Sequence, residues 1–182
     1  PGWQVTDAFS TGLQRYYVDP QTHAARTGFF EVDGTQFFAP AATGEVLRNA
    51  VASGAAAPFC DNEGRISASG WLVTDAFGQG LQRYWVEDFE VAKDKLVDAA
   101  QAGWAAYATS KGYVVRGAVT LSDGTMRYAD NDGRLQESGW LVTDGFGQGL
   151  QRYWLRAFQV VKDAIISARE AGWEAYATKQ GY

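Results

Sequence analysis

One stretch of this chain is written three times. Gly70-Trp71-Leu72-Val73-Thr74-Asp75 returns 69 residues later as Gly139-Trp140-Leu141-Val142-Thr143-Asp144. Gly80-Leu81-Gln82-Arg83-Tyr84-Trp85 returns at the same offset, ending at Trp154, and so do Ala102-Gly103-Trp104 and Ala106-Tyr107-Ala108-Thr109. A further copy opens the chain, with Gly2-Trp3-Gln4-Val5-Thr6-Asp7 followed by Leu13-Gln14-Arg15-Tyr16-Tyr17, at an offset of 68. Repetition at a fixed period means that each copy is one structural unit that buries its apolar face against a neighbour. It divides the 182 residues into repeats 1–69, 70–138 and a truncated 139–182. Because the chain opens and closes inside recurring motifs, we expect one array that is a fragment of something longer.

The Gly-Trp motif alternates as a strand does. Ala76 to Gly80 makes a Gly-rich connection, and Leu81 to Val86 reads as the returning strand. With Asp75 facing Leu81, Val73 faces Arg83 and Trp71 faces Trp85. All six then share one face, while Tyr84 and Tyr153 lie on the other and serve as packing. Asp75 with Arg83, and the equivalent pairs Asp7 with Arg15 and Asp144 with Arg152, read as ion pairs that fix register.

A second hairpin type is centred on Asp-Gly. Val119 to Ser122 and Thr125 to Tyr128 flank Asp123-Gly124, a strong two-residue turn signal. That register puts Val119, Leu121, Met126 and Tyr128 on one face. Phe29 to Val32 and Thr35 to Phe38, across Asp33-Gly34, form a sister hairpin whose phenylalanines fall on both faces, so both should be covered. Glu45 to Ala52 and Ala55 to Phe59, joined at Ser53-Gly54, form a further candidate.

The period changes in two stretches. Phe89, Ala92, Leu96, Ala100, Trp104 and Tyr107 recur at steps of three and four, which predicts an amphipathic helix over about 88–110 that stops near Gly112. Phe158, Val161, Ile165, Ala168 and Tyr176 predict the same over about 157–179. The fold class expected is therefore mainly β with helices: a β-hairpin repeat solenoid interrupted by two amphipathic helices.

Charge and composition exclude several function classes. A net charge of −5 without any basic run argues against nucleic acid. There is no apolar stretch of membrane-spanning length. Cys60 and His23 are the only cysteine and histidine, which leaves neither a disulfide framework nor a zinc ligand set, and neither residue has a nearby partner for nucleophilic catalysis. Asp130-Asn131-Asp132-Gly133 and Asp61-Asn62-Glu63-Gly64 open like calcium loops but lack the later ligands, and turn chemistry accounts for both. Gly78-Gln79-Gly80 leads into a strand rather than a helix, so it is no phosphate loop. We expect no enzyme activity and no cofactor.

The order Asp123-Gly124, Tyr128, Asp130-Asn131-Asp132-Gly133, Ser138 and Gly139-Trp140 resembles the cell-wall-binding repeats of Gram-positive surface proteins, which include the choline-binding and glucan-binding modules. Tyr16-Tyr17, Tyr84-Trp85 and Tyr153-Trp154 match the paired aromatics of those repeats. The resemblance covers about two-thirds of the chain. Two features depart from the pattern: the long period, and an Arg before each aromatic pair. The resemblance implies a non-catalytic module that attaches a secreted or surface protein to wall polymer, glycan or a choline-like group, with aromatics of adjacent hairpins caging the ligand. The candidate binding residues are Trp3, Tyr17, Trp71, Trp85, Tyr128, Trp140 and Trp154, with Tyr128 placed to complete a site beside Trp140. Two alternatives stay open: a structural stalk or adhesin scaffold without a ligand, and the targeting region of a wall-lytic enzyme whose catalytic domain lies elsewhere.

Overall fold

In all three copies the Gly-Trp motif forms an antiparallel hairpin in the expected register. The computed structural model describes residues 1–9, 12–52 and 58–182, and the chain divides into two compact units, Pro1–Ala92 and Lys93–Tyr182.

In the first unit, β1 (Gly2–Thr6) pairs with β2 (Gln14–Val18), β3 (Gly28–Val32) with β4 (Thr35–Ala39), and β5 (Ala50–Val51) with β6 (Phe59–Cys60). A three-stranded sheet follows, built from β7 (Gly70–Thr74), β8 (Gln82–Glu87) and β9 (Glu90–Val91). The second unit begins with β10 (Lys95–Val97), a single helical turn α1 (Ala99–Ala102) and β11 (Ala106–Ala108), with β10 paired to β11. The hairpin of β12 (Gly117–Thr120) and β13 (Met126–Ala129) comes next. After it stands the sheet of β14 (Gly139–Thr143), β15 (Gln151–Arg156) and β16 (Gln159–Val160). The unit ends with β17 (Ala164–Ile166), α2 (Ala168–Ala171) and β18 (Ala175–Ala177).

Such small sheets are marginal alone, and each is stabilised by burying side chains against its neighbours. Met126, Leu141, Tyr153, Leu155 and Val160 form one buried cluster of the second unit, and Ala105, Val115, Ala129 and Leu135 form another. In the first unit Phe38, Ala52, Cys60 and Ile66 pack together.

A recurring turn locks successive hairpins. The backbone N–H of Gly133 donates to the Asp130 carbonyl at 3.0 Å, and Asp130 Oδ1 accepts from the N–H groups of Asp132 and Arg134, both at 2.9 Å. Gly133 has φ +88°, and a Cβ there would lie 2.5 Å from Val114 Cγ1. Gly64 against Val46 and Gly181 against Val160 repeat the contact. Asp61 accepts from Glu63 and Arg65 in the same way. These aspartates are therefore engaged in turn closure.

Three expectations are corrected. The helices over about 88–110 and 157–179 are not formed: each stretch folds as strand, one helical turn and strand, and the helical turns have four residues each. Asp88 and Phe89, like Ala157 and Phe158, have positive φ and make a tight turn between β8 and β9, or β15 and β16, which a helix cannot contain. Gly103 and Gly172 end the helical turns in the left-handed conformation. The apolar steps of three and four come from residues on separate short elements.

The Asp123-Gly124 hairpin is one residue out of the expected register. Val119 faces Arg127 and Ala118 faces Tyr128. Only Gly124 has positive φ, Asp123 Oδ1 accepts from the Thr125 N–H at 2.8 Å, and Leu121 N–H donates to the Thr125 carbonyl at 2.8 Å. The loop thus has three residues, Ser122 to Gly124, with the glycine at the left-handed position. Met126 packs in one buried cluster and Val119 against another, so both faces are covered and apolar alternation does not specify register there. At Asp33-Gly34 both residues have positive φ, the loop has two residues, and Val32 faces Thr35 as expected. Phe37 and Phe38 are buried on opposite faces, whereas Phe29 is exposed. The described residues of the Glu45–Phe59 candidate pair through β5 and β6 and through the Ala52 N–H, which donates to the Pro58 carbonyl at 2.8 Å, and its joint at Ser53-Gly54 lies outside the described residues.

The third correction concerns the register ion pairs. Among the described residues no ion pair joins Asp7 to Arg15 or Asp144 to Arg152; both arginines turn to aromatic rings instead.

Candidate functional site

Cross-strand pairing sets the candidate aromatics in twos. Trp3 faces Tyr17, Trp71 faces Trp85 and Trp140 faces Trp154. Their ring centroids lie 5.1, 5.0 and 5.0 Å apart, edge to face. Within each tryptophan pair the partner on the returning strand is buried, Trp85 and Trp154 both at 6% exposure, while Trp71 and Trp140 are half-buried. Tyr84 and Tyr153 point to the opposite face and are fully buried. The buried tryptophans act as packing and the half-buried ones present ring to solvent.

The surroundings of Trp140 form the most developed site. Trp173, 45% exposed, lies 5.0 Å from it. With Trp154, Arg152, Tyr176 and Tyr182 they line an open pocket of about 170 Å³. Both indole N–H groups of the hairpin are held by α2. Trp140 Nε1–H donates to the Ala171 carbonyl and Trp154 Nε1–H to Glu170 Oε1, each at 3.2 Å. Glu170 also accepts two hydrogen bonds from Arg156, at 2.5 and 2.6 Å. This fork holds the Glu170 carboxyl below its ordinary range, and the Trp154 N–H acts in the same direction. The hydroxyl of Tyr176 donates to Asp163.

The strand face carries Arg152 over the aromatic wall. Its guanidinium carbon lies 5.9 Å from the Trp140 ring centroid and 5.3 Å from that of Trp173. In the first unit Arg15 lies closer, 3.7 Å from the Trp3 ring, and its Nη1 donates to the Glu63 carbonyl at 2.7 Å. Trp3 is further enclosed by Phe37, 4.8 Å away. Tyr17 lies against Phe30.

Tyr128 packs against the cluster of Met126, Leu141, Tyr153, Leu155 and Val160, which is built on the hairpin face away from Trp140 and Trp154. The aromatic that stands beside Trp140 is Trp173. It was missed because it fell inside an expected helix, yet Gly172-Trp173 is itself a Gly-Trp pair and carried the signal. Cys60 is buried, and burial raises its thiol pKa to about 11, which leaves it unreactive. No helix among the described residues is long and apolar enough to cross a membrane.

No protein-family model matches the chain, and no curated protein matches it by sequence. Solved structures do match in fold. CbpJ of Streptococcus pneumoniae superposes with a TM-score of 0.71 at 14% identity, over 99% of this chain and 56% of that one. The modular autolysin LytC of Streptococcus pneumoniae, solved with a synthetic peptidoglycan ligand, gives 0.71 at 12% identity over 100% of this chain and 37% of LytC. The choline-binding domain of CbpL, from the same organism, gives 0.63 at 19% identity, over 86% of this chain and 76% of that one. The chain thus spans about half the length of CbpJ and about a third of LytC. Successive β-hairpins and paired aromatics, together with these superpositions, establish that the chain has the fold of the choline-binding cell-wall repeat modules.

Proposed function

We propose that this chain is a non-catalytic cell-wall or glycan-binding repeat region of a secreted or surface-anchored bacterial protein. The observation that carries the reading is the pocket between Trp140 and Trp173. Aromatic residues from two successive hairpin elements meet there, half-buried Trp140 and 45% exposed Trp173, and α2 fixes the indole of Trp140 so that the wall is preorganised. Preorganised aromatic faces suit sugar rings and cationic groups, and a fixed indole loses little conformational freedom on binding. The structural neighbours support the same class of partner. One is described as a choline-binding domain, another as an autolysin holding a peptidoglycan ligand.

In this reading the repeats 1–69 and 70–138 and the truncated repeat 139–182 belong to one binding array, and extracellular wall polymer is the partner. Co-sedimentation with purified Gram-positive cell walls tests it. The wild-type chain should pellet with the walls and release no soluble sugar from them. Trp173→Ala should pellet at least several-fold less while keeping its circular dichroism spectrum. A wild-type chain that stays in the supernatant would favour the stalk reading.

A further inference from the structure

The aromatic wall that would receive a cation already faces one. Arg152 projects from β15 on the same hairpin face as Trp140 and Trp154, and its guanidinium stands over both Trp140 and Trp173. No carboxylate neutralises it: Asp144, the expected partner, makes no ion pair with it among the described residues. The carboxylate that reaches the site, Glu170, is taken up by two hydrogen bonds from Arg156 and one from Trp154. Asp163 accepts from the Tyr176 hydroxyl. The pocket therefore combines partly exposed indole faces with a guanidinium that makes no ion pair among the described residues.

We propose that Arg152 sets the ligand class of this pocket, selecting a pyranose ring that carries an anionic substituent, carboxylate or phosphate, over a quaternary ammonium group. The inference rests on the glycan-binding reading above and narrows it. Three physical points support it. A second cation brought to the Trp140–Trp173 faces would meet like-charge repulsion from Arg152 at close range. A guanidinium presents a planar donor fork that matches carboxylate and phosphate oxygens. A sugar ring can lie on Trp173 while its anionic arm reaches Arg152, because that ring is half exposed.

The first unit shows the same pair of residues in a closed arrangement. Arg15 lies directly on Trp3 and is tied to the Glu63 carbonyl, so neither the ring face nor the charge is free. Arg152 has no such tether and stands further from its rings, which leaves room for a ligand.

Calorimetric titration of the full chain tests the proposal with four probes: a uronate oligosaccharide, a phosphate-bearing sugar, a neutral oligosaccharide of equal length, and choline chloride. The two anionic probes separate a carboxylate ligand from a phosphate one. The wild type should bind at least one anionic probe about tenfold or more tighter than the neutral sugar and choline. Arg152→Gln should lose that preference and gain affinity for choline, while Arg152→Lys should retain most of the preference. Circular dichroism should be unchanged in both variants, since Arg152 is exposed. If the wild type took choline as tightly as the anionic sugars, or Arg152→Gln left the ranking unaltered, the selective role of Arg152 would be refuted while wall binding by the aromatic pocket still stood. If no probe bound to a wild-type chain that still pelleted with cell walls, the selective role of Arg152 would be refuted and wall binding would stand; a chain that neither bound a probe nor pelleted would overturn both.

Discussion

The indole N–H of Trp154 donates to the carboxylate of Glu170 across 3.2 Å, linking the returning strand of the hairpin to the helical turn that follows it. The same carboxylate is gripped by Arg156 from the same strand. One glutamate therefore fixes both the buried tryptophan of the pair and the approach of α2, whose Ala171 carbonyl orients Trp140. A loop-like segment thus becomes the wall of a pocket.

This linkage predicts an acid sensitivity whose sign follows from the depressed Glu170 pKa. A carboxyl held below its unfolded value contributes stability that is fully present above that value, about 4.3 for glutamate, and is lost as pH falls through the folded value. Wild-type thermal stability should fall on acidification below about pH 4.3, and Glu170→Gln should show a shallower fall. The group is exposed, so the effect on Tm should be small, and tryptophan emission should report it more clearly. Identical acid profiles for the two proteins would remove Glu170 from this role.

Gly133 is predicted to be intolerant of any side chain. Its φ is +88°, and a Cβ would meet Val114 Cγ1 at 2.5 Å and the Val115 carbonyl at 3.3 Å. Gly133→Ala should cost about 2–4 kcal/mol through strain and overpacking together, measured by urea denaturation. Gly78→Ala is the control: its φ is also positive, but nothing lies within 4 Å of the position, so the loss should be clearly smaller.

Ala157 offers the opposite case. It holds φ 49° at the turn between β15 and β16, beside Phe158 at φ 64°. The turn is anchored because the Phe158 N–H donates to the Glu137 carbonyl at 2.8 Å and the Phe158 carbonyl accepts from Arg127 at 3.1 Å. Relief of left-handed strain should make Ala157→Gly more stable by about 0.5–1 kcal/mol, after the entropic cost of glycine. A lower denaturation midpoint would show that the turn is not strained at that residue.

Tyr153 is fully buried, and its hydroxyl has no hydrogen-bond partner among the described residues. Burial also raises its pKa, with Tyr182 adding to the effect. Tyr153→Phe keeps the ring contacts with Phe146 and Tyr182 and removes a desolvated polar group. It should be neutral or stabilising by up to about 1 kcal/mol. A loss of more than that would mean that the hydroxyl is satisfied in solution.

The parts of this fold that were legible in the sequence are those fixed by local chemistry. The Trp140–Trp154 register followed from matching two alternating strands, and the Asp33-Gly34 turn from its dipeptide. The Asp123-Gly124 register did not follow, because the same dipeptide closes two-residue and three-residue loops and because partly buried Val119 and buried Met126 pack on opposite faces. The supposed helices failed for a related reason. Steps of three and four between Phe89, Ala92, Leu96, Ala100 and Trp104 look identical whether a helix or successive short strands produce them. The left-handed residues at 88–89 and 157–158, joined by Asp94, Gly103, Asp163 and Gly172, decide between the two. The candidate site inherited that error. The sequence pattern points to Trp140 and Trp154 with Tyr128 as their companion, whereas Trp173 lies in a segment whose apolar spacing matches a helix.

Wall binding in this form requires that the Trp140–Trp173 pocket receive a ligand. The chain has seven tryptophans, so an indole-labelled sample resolved by NMR and assigned by single substitutions can report on each while soluble wall fragments are added. The indole signals of Trp140 and Trp173 should shift in proportion to occupancy, with Trp85 unmoved, and Trp173→Ala should abolish the shift at Trp140. Saturating wall fragments that leave Trp140 and Trp173 unmoved while shifting other tryptophans, or none, would contradict the account.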